Sequence, residues 1–155
     1  MRRGFSARPR GERGQISVLI VGLFVIAALL VIGGIDVTAA QLARIRLIDT
    51  ADAAVLDAAD ALDETGAYER GLTHSVAVSS ATVKQSARSF AVARGELEGI
   101  RAWSVNDTTR AEGSETAVVV LDAVVDLPMT GGVLAALGQS VSLQVQSRAR
   151  APLQP

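Results

Sequence analysis

The sequence predicts an α+β fold: an N-terminal transmembrane helix continuing into a long amphipathic stem helix, a second helix, and then a small three-stranded antiparallel sheet. Three observations carry this. Residues 16–35 are twenty positions without a charge. From Asp36 to Asp63 neither proline nor glycine interrupts an alanine-rich stretch with helical apolar spacing. From Ile100 onward apolar and polar side chains alternate as they do in strands.

The apolar run extends from Ile16 through Leu23, Phe24 and Leu30 to Ile35, and fourteen of its residues are Leu, Ile, Val or Phe. As a helix it is about 30 Å long, the thickness of a bilayer's hydrocarbon core. A soluble core helix would show a polar stripe, and Ser17 is the only polar side chain here. Gly22 has Ile26 four residues on, so no glycine dimerisation face is present. Arg2, Arg3, Arg8, Arg10 and Arg13 precede the run against the single acid Glu12, which predicts an amino terminus on the cytoplasmic side. The expected organisation is a basic cytoplasmic tail over 1–15, a membrane helix over 16–35, a stem over 36–64, a small exported α+β domain over 65–150 and a disordered tail over 151–155. The expected location is the cytoplasmic membrane, crossed once, with the C-terminal part extracytoplasmic.

The part from Asp36 onward carries a net charge of minus five, which argues against a nucleic-acid partner. The arginine tail suits anionic lipid headgroups. Cysteine is absent, so thiol chemistry and disulfides are excluded. Small residues at Val37-Thr38-Ala39 before Ala40 leave open an alternative, a cleaved signal peptide releasing a secreted enzyme or ligand-binding domain.

In the stem, Leu42, Ile45, Ile48, Val55, Leu56, Ala59 and Leu62 form one apolar face, with Arg46, Asp57, Asp60 and Glu64 opposite. Asp52 falls inside the apolar stripe, so it either meets a partner there or reaches solvent at the stripe's edge. Gly66 is the expected helix stop.

The stretch RGQISVLIVGLFVIAALLVIGGIDVTAAQLARIRLIDTADAAVLDAADAL resembles the amino-terminal segment of TadG-like (TadE/TadG-type) pilus-assembly proteins of the tight-adherence, or Flp, pilus system. The shared pattern is Arg13-Gly14, a single long apolar span, Asp36 just past it, a basic patch at Arg44 and Arg46, and the run Ala51-Asp52-Ala53-Ala54. The resemblance implies a short, actinobacterial-style member acting as a single-pass envelope protein, a structural or assembly component of the pilus or a related secretion apparatus. It implies no enzyme activity and no cofactor. Its partners would be the lipid bilayer and other pilus or secretion components, in a homo- or hetero-oligomer, with Asp36, Asp52, Ala53 and Ala54 as the motif or interaction candidates. A second alternative is a minor pilin processed after Gly14; Leu19 stands where processed relatives usually keep Glu.

After the stem, Thr73 to Arg94 reads as a helix, with Val76, Val83, Ala87 and Phe90 at helical spacing and Gly95 as its stop. Ile100–Thr108, Thr116–Leu127 and Val141–Arg150 read as strands, with a helical turn at Val133–Leu137. A hairpin pairing Leu127 with Val141, Val125 with Leu143 and Ala123 with Val145 makes one face apolar. The other face shows Asp122 and Asp126 beside Gln144, Gln146, Arg148 and Arg150, with Arg148 as the expected partner of the acids. Trp103 is expected to pack at the sheet edge or in an interface, and His74 to lie at the surface. No phosphate loop, nucleophile elbow, catalytic set or metal-ligand set is present in the sequence; the lone lysine, Lys84, lies in the second helix.

Overall fold

The structure, a computed structural model, describes residues 12–68, 75–113 and 116–150. Arg2, Arg3, Arg8, Arg10, His74 and the 151–155 tail lie outside the described residues, as do the side chains of Arg13, Leu62, Glu64 and Val76. The elements in chain order are α1 (Glu12–Tyr68), α2 (Ser75–Arg94), β1 (Ile100–Val105), β2 (Arg110–Glu112), β3 (Thr116–Val125), α3 (Gly131–Ala136) and β4 (Val141–Arg150).

The apolar run and the stem form one helix of 57 residues, about 85 Å long. Contrary to expectation, α1 passes through Gly66. One glycine weakens a helix interior by only about 1 kcal/mol relative to alanine, too little by itself to end it. Gly95 does stop α2: it adopts φ +72°, open to glycine at no steric cost, and its N–H closes on the Ala91 carbonyl at 3.2 Å.

The sheet is antiparallel and has four strands, not three. β3 is central. β4 pairs with it over ten residues, while β1 and β2 share its other edge end to end. The expected first strand breaks at Asn106–Thr109, where four residues loop out between the Val105–Leu121 and Arg110–Val118 pairs. Asn106 drives the break: its side-chain carbonyl accepts from the Thr108 N–H at 2.8 Å, a local turn that competes with the ladder. Thr109, fully buried, replaces the lost backbone pairing, its hydroxyl accepting from the Val120 N–H at 3.0 Å.

The β3–β4 hairpin keeps the expected faces but shifts by two residues, with Val125 opposite Val141, Ala123 opposite Leu143 and Leu121 opposite Val145. A two-residue shift preserves which side chains share a face. The strand ends at Val125 because Asp126 to Thr130 leave the sheet to reach α1. Asp122 and Asp126 do not meet Arg148. Asp122 accepts from Asn106 and Gln144, Asp126 pairs with Arg101 at 2.8 Å, and Arg148 pairs with Glu112 at 3.4 Å.

The core lies between α1, α2 and one face of the sheet. Ala43, Leu47, Ala51, Ala54, Val55, Ala58 and Ala59 of α1 meet Val83 and Ala87 of α2 and Ala117, Val119, Leu121, Ala123 and Val125 of β3. This corrects the expected packing face of the stem. Val55 and Ala59 are buried, but Leu42, Ile45, Ile48 and Leu56 are exposed, and the buried side is the alanine-rich one. Small side chains let α1 lie close to two layers at once, since interaxial distance follows the side chains at the contact.

Two leucines of the same helix are therefore expected to respond differently. Leu47→Ala, which empties a fully buried site, should cost about 2–5 kcal/mol. Leu56→Ala should stay within about 0.5 kcal/mol. Chemical unfolding of the detergent-solubilised chain, followed by circular dichroism, measures both.

Candidate functional site

Among the described residues, one helix is long and apolar enough to cross a membrane, and no part of its most apolar window is buried by the rest of the chain. Ile16, Leu23, Phe24, Leu30 and Ile35 are all exposed. Beyond Ile35 the same helix becomes the spine of the sheet, and four polar clamps along it hold the rest of the chain in place.

The first clamp is Asp36, the residue immediately after the apolar run. Its side chain is buried and its two carboxylate oxygens accept from the backbone N–H groups of Met129 and Thr130, each at 2.9 Å, and from the Thr130 hydroxyl. Thr130 is the N-cap residue of α3 and Met129 precedes it, so a carboxylate from a distant helix fixes the chain's entry into α3. The Thr130 hydroxyl, with the two backbone N–H groups, holds the Asp36 carboxyl below its ordinary value of 3.8, against a smaller opposing effect of burial.

Arg46, ten residues on, forms the second clamp. Its guanidinium donates to the Glu98 backbone carbonyl at 2.7 Å and pairs with the Glu98 carboxylate at 2.8 Å. The next residue, Gly99, adopts φ +78°, a backbone conformation that side-chain-bearing residues rarely take. Asp52 is the third. It is exposed and accepts from the Ser147 hydroxyl of β4 at 2.5 Å, so it lies at the stripe's edge with a partner on the sheet. Asp57, expected on a solvated face, is exposed and accepts from Ser86 of α2.

Between the seam to β4 and the seam to α2 runs the outer face of α1. Leu42, Ile45 and Leu56 stand on it, 46%, 55% and 61% exposed. Asp49 and Asp52 occupy the intervening turns, giving the alternating three- and four-residue spacing of a helix that packs against another helix. Of the motif candidates, Ala54 is buried in the core and Ala53 is exposed beside this face. Gly14 lies in the first turns of α1.

The remaining concave surface has no comparable character. A depression lined by Ala81, Lys84, Gln85, Arg88, Ser89 and Val92 is one exposed side of α2. Trp103 is half-buried, and its indole N–H donates to the Gly95 carbonyl at 2.9 Å, tying β1 to the end of α2. Among the described residues, no three His, Asp or Glu side chains converge as a metal site would require.

Sequence reasoning placed Asp36 and Asp52 among the residues of interest but not their partners, which lie more than ninety residues away. The clamp at Arg46 left no local signal except a basic patch on an otherwise apolar helix.

Residues 14–61 match the model of the Tad family, described as "Putative Flp pilus-assembly TadE/G-like". The match takes in the apolar run and all four clamp residues of α1, and ends before α2. The resemblance read from the sequence is thus borne out over that segment. No curated protein and no solved structure matches the chain.

If Asp36 seats the loop before α3, Asp36→Ala should raise amide exchange at Met129 and Thr130 by roughly tenfold or more, the scale of losing charge-assisted bonds. The pH dependence has a definite sign. A carboxyl lowered in the folded state contributes fully above the ordinary value of 3.8 and loses its contribution as pH falls through its lower folded value. Protection of these two amides should therefore hold down to about pH 4 and fall below it, as followed by exchange-resolved mass spectrometry.

Proposed function

We propose that the chain is a single-pass protein of the cytoplasmic membrane, amino terminus inside, serving as a structural assembly component of a Flp-type pilus or a related secretion apparatus. Residues 16–35 are its tether, 36–64 its stem and 65–150 the part held outside, where it acts by binding and not by catalysis. The observation that carries this reading is the bare outer face of α1. It continues from the apolar run into the stem, and the chain itself leaves Leu42, Ile45 and Leu56 uncovered.

An exposed apolar stripe at helix-pairing spacing suits an apolar helix of another membrane-anchored component laid alongside α1. Asp49 and Asp52 on that stripe favour a partner with a basic side chain at the same height. The alanine-rich side of the stem, by contrast, is occupied by the protein's own sheet and cannot serve as the contact.

The Asp36 clamp supports retention of the tether. Cleavage after Ala39 would remove the carboxylate that holds Met129 and Thr130, and with it the first of the four polar contacts that tie α1 to the rest of the chain. A cut after Gly14 would leave every clamp intact, so the processed minor pilin remains the alternative that the geometry accommodates.

The paired substitution Ile45→Asp with Leu56→Asp tests the surface. Both sites are exposed, so unfolding free energy should shift by no more than about 0.5 kcal/mol per site, while recovery of other pilus components from solubilised membranes and assembly of surface pili are lost. Unchanged pili and unchanged recovery would overturn the assignment. Sequencing the amino terminus of the membrane-extracted protein separates the forms: residues ahead of Gly14 are expected, Gln15 marks the processed pilin, and Ala40 in a soluble fraction ends the tether model.

A further inference from the structure

Asp36 does more than join two elements: it brings α3 to the place where the apolar run ends. Ile35 is the last residue of that run, and the next side chain holds the amides of Met129 and Thr130 at 2.9 Å. α3 starts at the following residue and is six residues, about 9 Å, long. It therefore cannot climb far from that level.

What this segment exposes is apolar. Met129, Val133 and Leu137 are 49%, 64% and 69% exposed and recur every four residues, on one side of α3 and its flanks. Leu134 turns the other way, into the cleft formed by Leu127, Val125 and Val141 at the end of the sheet. Gly138, at φ +69°, closes the helix, with the Gln139 N–H returning to the Leu134 carbonyl at 2.8 Å. From Leu127 to Ser147 the chain carries no charged side chain.

We propose that α3 is an interfacial membrane element: Met129, Val133 and Leu137 enter the headgroup and upper acyl region of the outer leaflet beside the span and fix the height and tilt of the sheet above the bilayer. This rests on the reading of residues 16–35 as a membrane helix. If that run lies in hydrocarbon, Asp36 stands at the interface, and the polar region beyond the hydrocarbon on each side is only about 5–7 Å deep. Side chains within a few ångströms of Asp36 are in it.

Lipid, and not a protein, is the occupant that the patch fits. A specific protein interface takes about 20–30 residues on each side, whereas the three exposed apolar side chains of this short segment offer far less area than that. An interface of mixed polarity accepts a short apolar face whose backbone is already hydrogen-bonded. The α3 helix and the Asp36 carboxylate satisfy those backbone groups, so insertion leaves Met129, Val133 and Leu137 as the parts that change solvent.

The chain has no cysteine, so single nitroxide labels report position directly. Val133→Cys, Leu137→Cys, Leu23→Cys and Val92→Cys are labelled in the full chain, reconstituted in phosphatidylcholine nanodiscs, and probed for contact with oxygen and with a water-soluble nickel chelate. Val92 is the water-exposed reference. It lies in the chain between Ser86 and Glu98, whose partners Asp57 and Arg46 stand about 30 and 15 Å up α1 from Asp36.

Loss of nickel contact at 133 and 137 with oxygen contact retained, as at 23 and unlike 92, is the expected result. Labels at 133 and 137 as open to nickel as the one at 92, with 23 still shielded, overturn the proposal and leave the membrane helix standing. Shielding of 133 and 137 from both reagents also overturns it, in favour of a protein or second-copy contact. A label at 23 open to nickel removes the membrane helix itself, and the proposal with it.

Discussion

The sheet has one apolar face, and its cover is largely a helix that also carries the long apolar run. Ala117, Val119, Leu121, Ala123 and Val125 of β3 have α1 and α2 over them. A sheet with an apolar face needs such a layer to be stable in water. Here the layer is the same helix whose preceding turns are the candidate membrane span. Folding of the C-terminal part and placement of the N-terminal part are thus one event, since the residues that complete the core sit on the rod that carries the apolar run.

Alanine makes this arrangement workable. A stem with leucines inward would hold the sheet and α2 further off and would leave its outer side polar. With Ala43, Ala51, Ala54, Ala58 and Ala59 inward beside Leu47 and Val55, the layers close up, and Leu42, Ile45, Ile48 and Leu56 are directed out. The cost is a smaller buried area per turn, because apolar stabilisation follows area removed from water. Polar clamps offset part of it. Asp36, Arg46, Asp52 and Asp57 each tie α1 to a different piece of chain, namely the loop before α3, the loop before β1, strand β4 and helix α2. Spread over some thirty ångströms of helix, they set the register of the rod against the sheet, which small interchangeable alanines alone would leave free to slide.

The same spacing makes α1 one continuous link between its apolar run and the sheet. Its lowest clamp sits at the end of the apolar run and its highest two-thirds of the way up the remaining helix, so tilting the rod tilts the sheet. Arg101 with Asp126 and Asn106 with Asp122 connect neighbouring strands and turns.

Much of the architecture was legible from residue order alone. The apolar run, the uninterrupted helix after it, α2 with its glycine stop and the alternating strands all follow from local periodicity, because each is decided by which side chains lie one turn or two residues apart. The apolar face of the β3–β4 hairpin was legible for the same reason, and it survived a two-residue error in register. Tertiary structure decided the rest. Which side of the stem faces inward could not be read from hydrophobic size, since Leu42, Ile45 and Leu56 are as apolar as any core residue and yet are left outside, while the inward side is mostly alanine with Leu47 and Val55. The partners of Asp36 and Asp52 lie across the chain, beyond the reach of any helical or strand period. At the split of the first strand the Asn106 turn is local, but the Thr109–Val120 bond that replaces the ladder there is not. Short-range order determined the pieces and their faces; contacts between residues far apart determined which face is buried, and only folding brings those residues together.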